Sequence, residues 1–225
     1  MKSRFPYLLL TCLAALADPA FAGAEKQCGT LEWNYGPYDY RTSTGHQRKL
    51  VESAHFTPEA EQLKEAPSGS LGADIKYTLA VFPNHPRALL AMERLVIKER
   101  RNPPNGAKYT VECFYERALR FRPDDHIPRL LYVDYLIRNN KQLAEARTHL
   151  DYVAETTKED PLAQLNAGML YFDMKDYDKA LVQAHRVIAM GFDRPELRQR
   201  LTGVGRWVEP APAEGASAPA SAASQ

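Results

Sequence analysis

The sequence predicts an all-α protein made of antiparallel helix pairs. Three observations predict it. Residues recur at helical spacing, as in Leu131, Asp134, Tyr135 and Arg138, and again in Ala146, Leu150, Val153 and Ala154. The alternation of apolar and polar residues that marks strands joined by turn pairs is missing. Third, the sequence repeats itself: Leu131 recurs as Leu165, Ile137 as Tyr171, Leu143 as Tyr177, Ala146 as Ala180, Val153 as Val187 and Pro161 as Pro195, each pair 34 apart. A fixed period of this size is the mark of stacked supersecondary units.

Composition agrees with a folded body. The 225 residues are 44% apolar and 25% charged, and 29 basic residues balance 28 acidic ones for a net charge of +1. These are globular values. They exclude a mainly disordered chain and offer no basic surface for phosphate contacts, so no nucleic-acid partner is expected.

Residues 1–22 have the three parts of a secretory signal: Lys2 and Arg4, an apolar run from Leu8 to Ala17, and the small-residue site Ala20-Phe21-Ala22. The run is far short of the roughly 20 residues a spanning helix needs, so no membrane span is expected after its removal. The expected location is the periplasm, with secretion as the other outcome of export. The remaining chain holds 27 basic and 27 acidic residues and two cysteines, Cys28 and Cys113. An even count in an exported chain predicts a disulfide. Closing an 85-residue separation is worth roughly 4 kcal/mol in the chain-entropy model.

Residues 23–56 read as an extended aromatic segment. Trp33, Tyr35, Tyr38 and Tyr40 fall within eight positions, in a chain that is 10% aromatic. Gly36-Pro37 prevents a regular helix there. A Cys28–Cys113 link would lay this segment along the helical array, with the groove of the array as one place for it.

The helical body is predicted over 57–208. Thr57-Pro58-Glu59 opens a short helix, and Asp74 to Pro83 reads as the second helix of a degenerate leading unit. Pro86-Arg87-Ala88-Leu89 aligns with Pro128-Arg129-Leu130-Leu131, with Asn102-Pro103-Pro104-Asn105-Gly106 lengthening the turn that follows. Asp124-Asp125-His126 and Glu159-Asp160 sit where acidic residues cap helices. Asp193-Arg194-Pro195-Glu196 has the form of a capping box. It opens a closing helix with Leu197, Leu201 and Val204 on one stripe and Trp207 beyond. From Glu209 to Gln225 the tail has no large apolar residue and reads as disordered.

The stretch Gln164 to Ala180, QLNAGMLYFDMKDYDKA, resembles the tetratricopeptide repeat. Ala167-Gly168 stands for that family's Leu-Gly pair, Tyr171 for its tyrosine and Ala180 for the alanine of its second helix. Gln164 stands in place of the family's Trp. Glu116 to Pro123 resembles the end of such a unit. The aromatic segment is similar to that of uncharacterised exported tetratricopeptide proteins of proteobacteria. The resemblance implies a right-handed superhelix of helix pairs with a concave groove lined by first helices, and a protein or peptide bound there.

Carried over position by position, the resemblance aligns Leu89, Leu131 and Leu165; Glu93, Tyr135 and Met169; Val96, Arg138 and Phe172; and Ile97, Asn139 and Asp173. Tyr135, Arg138, Asn139, Met169, Phe172 and Asp173 are therefore the expected partner-binding residues, Tyr and Arg being common anchors at interfaces. The bland alternative is that Tyr135 and Phe172 pack against the next repeat. A second reading is a structural accessory subunit of an envelope assembly or secretion machine, contacting through its convex face or N-terminal segment. The least favoured is an enzyme acting on envelope polymers. The scattered histidines show no metal-ligand spacing, and no nucleophile or phosphate-loop motif is present. No catalytic residue, metal or cofactor is expected.

Overall fold

A computed structural model describes residues 28–192 and 194–210. The predicted signal segment and most of the tail lie outside the described residues. Ten helices are described: α1 Gly45–His55, α2 Pro58–Glu61, α3 Leu71–Val81, α4 Pro86–Glu99, α5 Val111–Phe121, α6 His126–Arg138, α7 Leu143–Thr156, α8 Pro161–Asp173, α9 Tyr177–Ala189 and α10 Pro195–Gly203. No strand occurs among the described residues, and none of the described helices is long and apolar enough to cross a membrane.

Helices begin where the sequence supplies caps. Asp125 accepts from Ile127 N at 3.1 Å, Asp160 from Leu162 N and Ala163 N at 3.0 Å, and Asp176 from Lys179 N. Asp124-Asp125-His126 is therefore a helix start. Helix α1 falls inside the segment expected to be extended. Thr44 and Gln47 form a complete capping box there, with Thr44 Oγ1 taking the Gln47 N–H and the Gln47 side chain taking the Thr44 N–H. The closing helix differs from expectation in two ways. Its N-cap is Arg194, which makes no side-chain cap, and Asp193 is not described. Leu197 and Leu201 are buried, but the helix ends at Gly203 and Val204 is exposed.

Each helix from α3 onward packs on the next, and α4, α6, α8 and α10 also touch in succession as one row. Small residues permit the closest approaches. Ala180 is fully buried, and a Cβ on Gly168 would lie 2.4 Å from Leu197 Cδ2 and 3.0 Å from Gln183 Cβ. Gln164 is fully buried and ties the end of α7 to α8. Its Nε2 donates to Ala154 O and Thr157 O, and its Oε1 accepts from Arg186.

The register departs from the sequence alignment. In the second helices, burial repeats at 34: Ala146 with Ala180, Leu150 with Ala184, Val153 with Val187. In the first helices it repeats at 35. Arg129, Tyr132, Val133, Tyr135 and Leu136 are buried, as are Gln164, Ala167, Gly168, Leu170 and Tyr171. The cause is the turn between the pair. Four residues separate α6 from α7, and three separate α8 from α9. Tyr135 thus corresponds to buried Leu170, and Asp134 to Met169.

Cys28 and Cys113 are disulfide-bonded. The bond fastens a strap, residues 28–43, across α3 and α5. Arg117 Nη1 donates to Cys28 O at 3.1 Å and Thr30 O at 2.5 Å, and Arg120 Nη2 donates to Gly29 O at 2.8 Å. Tyr38 N donates to Val81 O at 2.8 Å. Buried Asn84 donates to both Asp39 and Asp125 and accepts from Tyr40 N. Gly29 has a positive φ and lies so close to Tyr109 that a Cβ would meet its hydroxyl at 2.2 Å.

Candidate functional site

The row of first helices carries a groove of about 480 Å³ between α6 and α8, closed at one side by Arg200 of α10. Its floor is apolar: Leu130, Leu131, Met169 and Leu170, flanked by Ile127 and Leu162. Ile127 is 44% exposed and Leu162 55%. These two sit at matching places, 35 apart, one residue into each helix. The repeat therefore presents the same apolar position twice to solvent.

The rim is charged. Asp134, Asp160 and Asp173 line the groove. Asp134 accepts from Arg138 Nε at 2.7 Å, and Asp173 accepts from Arg200 Nη2. Asp160 spends one oxygen on the α8 cap and turns the other toward His126 Nε2 at 3.6 Å. Arg200 also lies over the Phe172 ring at 4.2 Å.

Of the six residues predicted to bind a partner, the structure brings Met169 and Asp173 together in this groove. Arg138 stands near its edge, bridging Asp134 and buried Glu93 at 2.6 Å. Burial raises the Glu93 carboxyl above its ordinary value, and the Tyr115 and Arg138 hydrogen bonds pull against that. Phe172 is half-buried against Tyr177, with ring centroids 5.2 Å apart. Asn139 ends α6 and donates its Nδ2 to Tyr135 O.

Tyr135 is not a groove residue. It is 5% exposed, its ring lies 6.0 Å from Tyr115, and its hydroxyl donates to Glu112 at 2.8 Å. Burial would raise the Glu112 carboxyl, but hydrogen bonds from Lys141, Tyr135 and Asn102 hold it at about 2. The one-residue difference in turn length explains the misplacement, because a 34-residue alignment puts buried Tyr135 opposite Met169. Ile127, Leu162 and Asn166 were missed for the same reason. Exposed apolar residues at equivalent positions of two helices are a signal that the correct register would have revealed.

The aromatic strap does not fill the groove. None of residues 28–43 lines it, and their contacts run to α1, α3, α5 and the loops after α3 and α5. Among the described residues no cluster of His, Cys, Asp and Glu could hold a metal ion. No protein-family model, curated protein or solved structure matches the chain.

Proposed function

We propose that this chain is an exported tetratricopeptide-like scaffold that holds a protein or peptide partner in the α6–α8 groove. The observation that carries the reading is the exposure of Ile127 and Leu162 at equivalent places beside the apolar floor. Covering the exposed half of an apolar side chain of this size is worth about 1 kcal/mol. Several lines support the wider reading. The repeated pattern of small and aromatic residues resembles that of the tetratricopeptide family. The disulfide suits an oxidising compartment, and the secretory pattern of residues 1–22 suits export. The role is binding, with no catalytic step assigned.

The test is photo-crosslinking in cells from Leu162 and Asn166, with Val182 on the exposed side of α9 as control. A discrete protein adduct from 162 and 166, absent from 182, is the expected result. Adducts from 182 alone, or the same pattern from all three sites, would overturn the groove as the binding surface.

A further inference from the structure

A second cavity lies on the other helices, beneath the strap, and its chemistry is unlike that of the groove. It measures about 350 Å³ and lies between the strap residues Thr30, Glu32 and Trp33 and the α3–α5 side of the body. Three cations converge on it: Lys76 from α3, Lys108 from the loop before α5, and Arg117 from α5. Trp33, Tyr109 and Phe114 supply aromatic walls, and Trp33 is 43% exposed. Among the described residues Glu32 is the one acid on the lining.

Arg117 is the unusual group. It is only 5% exposed, and a buried cation ordinarily needs a counter-charge. Its partners are neutral. Among the described residues all its hydrogen bonds leave from Nη1, to the carbonyls of Cys28, Gly29 and Thr30, and its guanidinium lies 5.2 Å from the Tyr109 ring centroid. That leaves Nε and Nη2 without an acceptor among these residues. Lys108 also stands over Tyr109, at 5.1 Å. No ion pair joins Glu32 to any of the three cations among the described residues, and burial first, then Arg120 on α5, disfavours the Arg117 charge, with Tyr109 acting the other way.

A positively lined cavity with aromatic walls and a buried, incompletely bonded guanidinium has the features of a small-molecule site: an apolar enclosure with a few convergent polar groups. We propose that it binds a small organic anion, with its carboxylate or phosphate against Arg117, Lys76 and Lys108 and its flat apolar body between Trp33 and Tyr109. Charge-assisted hydrogen bonds to guanidinium supply the orientation, and ring faces accept a flat body by stacking.

The test is calorimetric titration of the exported protein with phenyl phosphate and with benzoate, using benzyl alcohol as the uncharged counterpart. At least one anion is expected to saturate a single site with a Kd of about 1 mM or tighter. The Lys76→Ala/Lys108→Ala variant, which alters side chains outside the core, is expected to bind it about tenfold more weakly. The Lys158→Ala variant, remote in the turn after α7, is expected to bind unchanged, and benzyl alcohol to bind at least about tenfold more weakly than the anion. Trp33 emission, read in a Trp207→Phe background, should change along the same saturation curve. Absence of saturable binding by both anions, equal binding by benzyl alcohol, or an unaltered Kd in the double lysine variant would each overturn the proposal.

Discussion

Gly168→Ala tests whether the closing helix is packed against the last pair as tightly as described. The new Cβ would meet Leu197 Cδ2 at 2.4 Å and Gln183 Cβ at 3.0 Å. The first contact is a side-chain tip, but Leu197 is 1% exposed and has little room to swing. The second is fixed to the backbone of α9. Overpacking of this kind costs about 1–3 kcal/mol. Replacing a mid-helix glycine by alanine returns about 1 kcal/mol of helix propensity. The expected net effect is a loss of about 1 kcal/mol. With a urea m-value near 2 kcal/mol/M, that lowers the unfolding midpoint by roughly 0.5 M. Gly203→Ala, where an added Cβ meets nothing within 4 Å, is the control and should raise the midpoint or leave it unchanged. Leu197→Val removes the clashing methyl group. In that background Gly168→Ala should cost measurably less, a coupling of at least about 0.5 kcal/mol. If Gly168→Ala raises the midpoint as Gly203→Ala does, α10 is not seated on α8 in this way.

Four further outcomes follow from particular residues. Reducing the Cys28–Cys113 bond, or replacing both cysteines by serine, should cost about 2–4 kcal/mol in urea unfolding, and an equal midpoint with and without reductant would contradict it. Ile127→Ala and Leu162→Ala should each weaken capture of the partner by about 1 kcal/mol while leaving stability within about 0.5 kcal/mol. Tyr135→Phe should do the reverse, losing about 1 kcal/mol of stability with its Glu112 hydrogen bond and leaving partner capture unchanged. Stability should also fall in mild acid through His85, a fully buried N-cap whose Nδ1 accepts from Ala88 N while Nε2 faces Glu52. Tyr40, Arg87 and Glu61 are the other titratable groups that bear on it. Burial lowers its value below the ordinary 6.5, against the pull of Glu52. The unfolded chain therefore takes up the proton first, so this contribution is full above pH 6.5 and is lost as pH falls below it. His85→Asn keeps a capping side chain that does not titrate, and it should flatten the slope of the urea midpoint just below pH 6.5.

Helix content and the second-helix period were legible because they rest on local signals: caps, apolar spacing, and small residues where backbones approach. The lining of the α6–α8 groove was not, and the reason is geometric. One extra residue in the turn after Arg138 shifts first-helix register by one position, about 100° around a helix. That is enough to carry Tyr135 from the wall into the core. The two turns show nothing in composition that fixes their length against the helix ends. Asn139-Asn140-Lys141-Gln142 and Met174-Lys175-Asp176 both suit a tight connection, with Asn140, Gln142 and Lys175 all at positive φ. Helix α1 was missed because the aromatic residues before Thr44 dominated the reading of a segment that changes character at its cap. The His85 cap was missed because histidine is an uncommon N-cap.

The strap changes what the disulfide is for. Without its neighbours, Cys28 would be a single tether on a long arm. In the structure the arm is held along its length, by Arg117 and Arg120 at its start, by Val81 and the Phe82 ring in the middle, and by Asn84 and Asp124 at its end. The crosslink therefore fixes one end of a segment already committed to α3 and α5. An arm seated there does not occupy the α6–α8 groove, none of whose lining comes from residues 28–43. The same seating creates the cationic cavity, since Thr30, Glu32 and Trp33 form its outer wall. Breaking the disulfide should therefore act on the two sites differently. Anion binding beneath the strap should weaken as its outer wall loosens, while crosslinking from Leu162 should persist. Loss of both together would mean that the strap supports the whole helical array, and loss of neither would mean that its hydrogen bonds alone keep it seated.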